Sequence, residues 1–185
     1  MSGSRVGQVL VLNGASSAGK SSLAKALQGA LPEPHLHVAL DAFRAMEPAD
    51  YWRGLDTALT QRWIAGLCRA MHSTVAAFAE SGQHVIFDTA LDKQSVVDAF
   101  RADLGHLGFE LIGVHCALDE LERRETARGD RPSGLARRQF GTIHAGRTYD
   151  FNVDTTRTSA AACAVEIAAW LERSNHVSAR SWRSG

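Results

Sequence analysis

Lysine is nearly missing from this sequence. The 185 residues include three lysines (Lys20, Lys25, Lys93) and seventeen arginines, and the 20 cations are matched by 20 acidic residues. A net charge of zero supplies no broad basic field, which argues against a nucleic-acid coat and against a polybasic membrane binder. Long apolar runs are missing as well. No stretch approaches the roughly 20 residues of a membrane-spanning helix. The run Val9-Leu10-Val11-Leu12, preceded by one cation (Arg5), is too short for the core of a secretion signal. Cysteine is sparse: Cys68, Cys116 and Cys163 stand far apart, with no C-x-x-C pair and no histidine at zinc spacing. An odd count without a framework fits buried thiols in a reducing compartment. These shortages set the expectation of a cytoplasmic protein with no membrane and no nucleic-acid partner.

The composition that remains is that of an ordinary globular chain, 45% apolar and 22% charged. The length predicts one domain, large enough to bury its own core without metal or disulfide. Apolar periodicity predicts strands at 8–13, 37–40, 84–87 and 110–116, with a short fifth at 152–154. Between them lie helical patterns at 21–31, 57–80 (one helix or two), 93–104, from Asp119 onward, and 159–171. Strands alternating with helices imply an α/β fold with a five-stranded parallel sheet and right-handed crossovers. Ligands in such sheets bind at the carboxyl ends of the strands. Residues 1–173 form the expected domain, and 174–185 read as a flexible polar tail.

Gly14-Ala15-Ser16-Ser17-Ala18-Gly19-Lys20-Ser21 matches G-x-x-x-x-G-K-[ST] in full, between a buried strand and an amphipathic helix. Gly14 and Gly19 permit the tight turns that gather backbone N–H groups into one concavity. The following helix, through Ser22, presents its N-terminal amides to the same anion. Lys20 reaches the β- and γ-phosphates in such a loop, and Ser21 ligates Mg²⁺. A Mg²⁺-linked carboxylate is expected at another strand end. Asp88, after the third strand, is the candidate, with Asp92 the weaker one. Asp41 ends the second predicted strand, facing the cleft from the acceptor side, and is either the base for an acceptor hydroxyl or a loop cap.

Residues 123–147 hold seven arginines (123, 124, 128, 131, 137, 138, 147) against Glu125 and Asp130, a net of +5, so the remaining 160 residues carry −5. Gly129, Pro132 and Gly134 punctuate the stretch as a hinged, helical lid requires. Arg128 and Arg131 flank that turn and are the candidates for phosphate contact. Arg123, Arg137 and Arg147 read as a solvated helical face. No N-K-x-D guanine motif is present, so ATP is the expected donor, with Arg124 and Thr155 placed to line the adenine. Phe43, Arg44, Met46, Trp52 and Asp88 are the candidate acceptor contacts. Phe43, Met46, Tyr51, Trp52 and Trp63 form either an apolar pocket or part of the core.

Leu12-Asn-Gly-Ala-Ser-Ser-Ala-Gly-Lys-Ser21, Leu31-Pro-Glu-Pro34, Glu125-Thr-Ala-Arg-Gly-Asp-Arg131, His144, Tyr149-Asp150 and Val153-Asp-Thr-Thr156 together resemble chloramphenicol phosphotransferase. The resemblance runs along nearly the whole chain and implies a P-loop kinase fold using ATP and Mg²⁺. It implies phosphorylation of a primary hydroxyl on the antibiotic, with Asp41 as base and Arg128 and Arg131 on phosphates. The match is poor between Asp41 and Gly82, and Asp88-Thr89 stands where the family has two adjacent acidic residues. Asp41-Ala-Phe-Arg44 is also similar to a segment of zeta-type toxins, P-loop kinases acting on nucleotide sugars. Three functions stay open on this reading: an antibiotic O-phosphotransferase, a kinase for a nucleotide sugar or other metabolite, and a nucleotide-binding switch. The acceptor in the first two is a small-molecule hydroxyl, and the oligomeric state is open.

Overall fold

The computed structural model describes residues 6–48, 51, 56–128 and 134–181, with side chains described through Ser174. Five strands form one parallel sheet: β1 (Val9–Asn13), β2 (His35–Ala39), β3 (His84–Thr89), β4 (Glu110–His115) and β5 (Phe151–Asp154), in the order β2-β3-β1-β4-β5. The strands are short apolar runs, as buried parallel strands must be. β1 is the middle strand and is buried at all five positions. Its register sets Leu12 beside Asp88 and Asn13 beside both Thr89 and Gly113. In β2, Ala39 also pairs with Asp88.

Alternation along each strand divides the core into two layers. Leu10 and Leu12 of β1, with Ile112 and Val114 of β4, pack against α1 (Lys20–Ala30) and α7 (Ala160–Ser181) through Leu23, Leu27, Cys163 and Ile167. Val9, Val11, Val85 and Phe87 face the other way. They pack against α3 (Thr57–Glu80) and α4 (Gln94–Leu104) through Met71, Val75, Val97 and Phe100. The helix ends follow local chemistry. α1 stops at Ala30 because Leu31 precedes proline and takes an extended conformation. α3 starts where Asp56 accepts the Leu59 N–H at 2.7 Å and runs unbroken for 24 residues.

Two predicted boundaries move. β2 ends at Ala39, and the chain turns at once into the short α2 (Leu40–Arg44), so Asp41 lies in the first turn of a helix and not at a strand end. The last helix continues ten residues past Leu171 to Ser181, where the sequence suggested a loose tail. No glycine or proline lies between Ala160 and Ser181 to interrupt it. α5 (Leu118–Arg128) and α6 (Leu135–Phe140) carry most of the arginine segment, and Asp119 sits inside the first turn of α5. Among the described residues, no helix is long and apolar enough to cross a membrane.

Candidate active site

The loop from Gly14 to Gly19 joins β1 to α1 at the carboxyl end of the sheet. Gly14 admits no side chain, because a Cβ there would meet the Val114 carbonyl oxygen at 2.5 Å. Gly19 takes φ +84° as it enters α1, a left-handed conformation that favours glycine. Ser17 holds φ +65° without that freedom, and its buried hydroxyl has no hydrogen-bond partner. The first turn of α1 carries no acidic residue and no capping side chain. Its N–H groups and dipole end therefore suit a bound anion.

Lys20 folds back over the loop, donating to the Ala15 carbonyl at 3.1 Å, with its Nζ 3.6 Å from Asp88 Oδ1. Ser21 donates its hydroxyl to Asp88 Oδ2 at 2.7 Å. Asp88 is 8% exposed. Burial alone would raise its pKa, but the Lys20 ammonium, His37 and the Ser21 hydroxyl hold the carboxyl below its ordinary value. A serine hydroxyl and an ionised carboxylate are hard oxygen donors, the chemistry Mg²⁺ prefers. The residues present thus fit a nucleotide phosphate chain with its metal.

Beside the loop, an open cleft of about 420 Å³ is lined by Ser17, Gly19, Ser22, Arg124, Arg128 and Thr155, among others. Arg124 is held in plane by Glu120 (2.7 Å) and the Thr155 carbonyl (2.7 Å). Thr155 Oγ1 donates to the Ala18 carbonyl at 2.8 Å, fixing the loop after β5 to the phosphate loop. The structure therefore brings the predicted donor-side residues together.

Asp41 is exposed in α2, just past the strand that pairs with Asp88. Phe43 is half-buried against the α3/α4 core layer, whereas Met46 is 75% exposed. Arg44 Nε lies 3.5 Å from Glu47 Oε2. The Trp63 indole donates to Glu47 Oε1 at 2.9 Å, and its ring lies 4.6 Å from that of Tyr51. Trp52 and Arg131 lie outside the described residues.

The arginines divide. Arg123 makes two bonds to Glu120 (2.6 and 2.7 Å), and Arg137 makes two to Glu122 (2.6 and 2.9 Å), both on exposed faces. Hydrogen bonds from Arg123 and Arg124 push Glu120 down to about 2. The +5 window begins three residues too late to include these partners. Arg147 is not on a helical face. It sits in the turn after α6, half-buried, donating to the Leu91 carbonyl at 3.0 Å.

Sequence reasoning missed four contributors. His37 Nε2 lies buried, 3.7 Å from Asp88 Oδ2, too far for a hydrogen bond. Asn13, fully buried, accepts the Leu91 N–H (2.8 Å) and donates to the Ile143 carbonyl (3.0 Å) and the Tyr149 hydroxyl (2.7 Å). Glu125 and Gln139 are buried polar residues on α5 and α6. For His37 the signal was its place on the strand beside Asp88. For Gln139 there was none.

The family model for chloramphenicol phosphotransferase-like proteins matches residues 7–172. The chain belongs to this family. A chloramphenicol phosphotransferase-like protein of this kind is a small-molecule kinase built on a P-loop nucleotide-binding fold. A relative from Mycobacterium tuberculosis named "Putative O-phosphotransferase" is 35% identical, over 85% of this chain and 79% of the relative. Among solved structures, the M. tuberculosis APS kinase in complex with AMPPNP and APS is similar with a TM-score of 0.67 at 18% identity, covering 90% of this chain and 98% of that one. The shikimate kinase of Acinetobacter baumannii, in complex with shikimate, gives a TM-score of 0.63 at 15% identity, covering 92% and 96%. These two likenesses show the shared fold. The expected five-stranded α/β kinase fold and the family resemblance are both borne out.

Proposed function

We propose that this family member transfers the γ-phosphoryl group of ATP, with Mg²⁺, to a hydroxyl of chloramphenicol or a related hydroxylated antibiotic. The observation that carries this reading is the junction of Ser21, Asp88 and Lys20 over an uncapped helix start. The junction supplies the donor half of that reaction, and the family match over residues 7–172 favours transfer over a nucleotide switch, which would hold the same lysine and carboxylate.

Ser21 and Asp88 are the residues that would hold Mg²⁺, which would supply charge to neutralise the phosphates. Lys20 steadies the phosphate chain and the charge that shifts toward the leaving oxygen. Arg124 and Thr155 flank the nucleoside part of the cleft. Asp41 accepts the proton of the attacking hydroxyl. Arg128, at the end of α5, adds positive charge beside the phosphates. Phe43, Met46 and the Tyr51–Trp63 pair give the acceptor side an apolar, aromatic lining.

Mass spectrometry after incubation with Mg·ATP and an acceptor panel tests the reading. The panel holds chloramphenicol, other hydroxylated antibiotics, nucleotide sugars and nucleosides. A gain of one phosphoryl group on chloramphenicol or a related antibiotic is expected. A gain on a nucleotide sugar alone assigns the acceptor to the zeta-like class. Sustained ATP hydrolysis with no phosphorylated product overturns the transferase reading.

A further inference from the structure

α6 is six residues long, yet a buried polar side chain grips each end of it. At its start, Glu125 of α5, 7% exposed, accepts the Gly134 N–H at 2.8 Å on one oxygen and the Ala136 N–H at 2.9 Å on the other. A carboxylate taken out of water needs such donors to both oxygens. Near its end, Gln139, 9% exposed, directs its amide away from its own helix. Its Oε1 accepts the Ser16 N–H of the phosphate loop at 2.7 Å, and its Nε2 donates to Asp92 Oδ2 at 3.3 Å. The amide orientation follows from its partners, since a backbone N–H can only donate and a carboxylate can only accept.

We propose that α6 is a strut, with Glu125 and Gln139 as positioning residues for phosphoryl transfer. Glu125 fixes α6 to the helix that carries Arg124 and Arg128. Gln139 fixes α6 to the phosphate loop and to the segment that follows Asp88. The donor-side arginines, the loop and the Asp88 strand end are thereby held to one another through α6. The catalytic consequence rests on the kinase reading above; the mechanical one does not.

Hydrogen–deuterium exchange on the unliganded protein tests the strut without any activity. Gln139→Leu leaves the Ser16 amide and the Asp92 carboxylate unpaired, and exchange over residues 14–22 should rise about tenfold, with α3 and α7 unchanged. Glu125→Ala should raise exchange over residues 134–140. Exchange that rises equally everywhere, or not at all over 14–22, overturns the proposal. Gln139→Glu should loosen the loop by setting two carboxylates face to face. Adding Asp92→Asn restores a donor opposite the new carboxylate, so the double variant should regain loop protection. A double variant as loose as the single one also overturns it. In turnover, Gln139→Leu should lower kcat by about tenfold while acceptor KM changes little. Loop loosening in a protein that phosphorylates no antibiotic of the panel would keep the strut and sink the antibiotic-acceptor reading.

Discussion

Ser21 and Asp88 meet at 2.7 Å although 67 residues separate them in the chain. One lies in the first turn of α1 and the other near the end of β3. Lys20 sits against the other oxygen of the same carboxylate at 3.6 Å. That pair of contacts ties the phosphate loop to the neighbouring strand.

Lys20→Ala should reduce phosphoryl transfer by about 10²–10³-fold or more while the circular-dichroism spectrum stays that of the wild type. The lysine touches a loop carbonyl and Asp88 and is not among the core residues. Near-normal turnover would remove Lys20 from the transferring phosphoryl.

Asp88→Asn keeps the size of the side chain and removes its charge. The Mg²⁺ concentration for half-maximal turnover should rise, by about 10–100-fold if Asp88 acts through the metal's hydration shell. A titration of activity against Mg²⁺ at saturating ATP reads this directly. An unchanged metal requirement with lower kcat would make Asp88 a partner of Lys20 only.

Asp41→Asn should lower kcat by about 10²–10⁴-fold and leave nucleotide affinity at the wild-type level, because the proposed base stands in α2, outside the phosphate loop. Calorimetric binding of Mg·ADP beside steady-state kinetics separates the two effects. Lost nucleotide affinity with surviving transfer at saturation would assign Asp41 to the donor side.

Arg124→Ala removes the guanidinium that joins Glu120 to the Thr155 carbonyl. KM for ATP should rise about tenfold with kcat nearly unchanged, the pattern of a contact equal in ground and transition states. A fall in kcat alone would move Arg124 to the reacting phosphoryl.

His144 should make stability fall on mild acidification. Burial lowers its pKa, and the His115 ring stacked at 3.9 Å and the Lys20 charge lower it further, to about 4 from 6.5. Between those values the unfolded chain takes up a proton that the native state refuses. Its contribution is therefore complete above pH 6.5 and is lost as pH falls toward 4. The ring is partly solvated, so the loss is on the order of 1 kcal/mol. Urea midpoints from pH 7 to 4 should drop less steeply for His144→Asn than for the wild type. Parallel curves would place the acid sensitivity elsewhere.

The sequence by itself determined the parts whose physics is local. A G-x-x-x-x-G-K-S loop between an apolar run and an amphipathic helix can fold in few ways, and the alternation of strands and helices already implied the parallel sheet. Tertiary structure decided which distant groups meet. Gln139 reaches Ser16 across 123 residues, and no local pattern marks a glutamine for that task. Glu120 and Glu122 take up Arg123 and Arg137, so a charge excess counted along the chain shrinks once i+3 and longer-range partners are in place. Asp41 moved from a strand end to a helix because β2 stops one residue earlier than its apolar run suggested. Backbone conformation and burial are written in nearest neighbours. The charge, proton affinity and reach of a site are set by whatever the fold brings within a few ångströms.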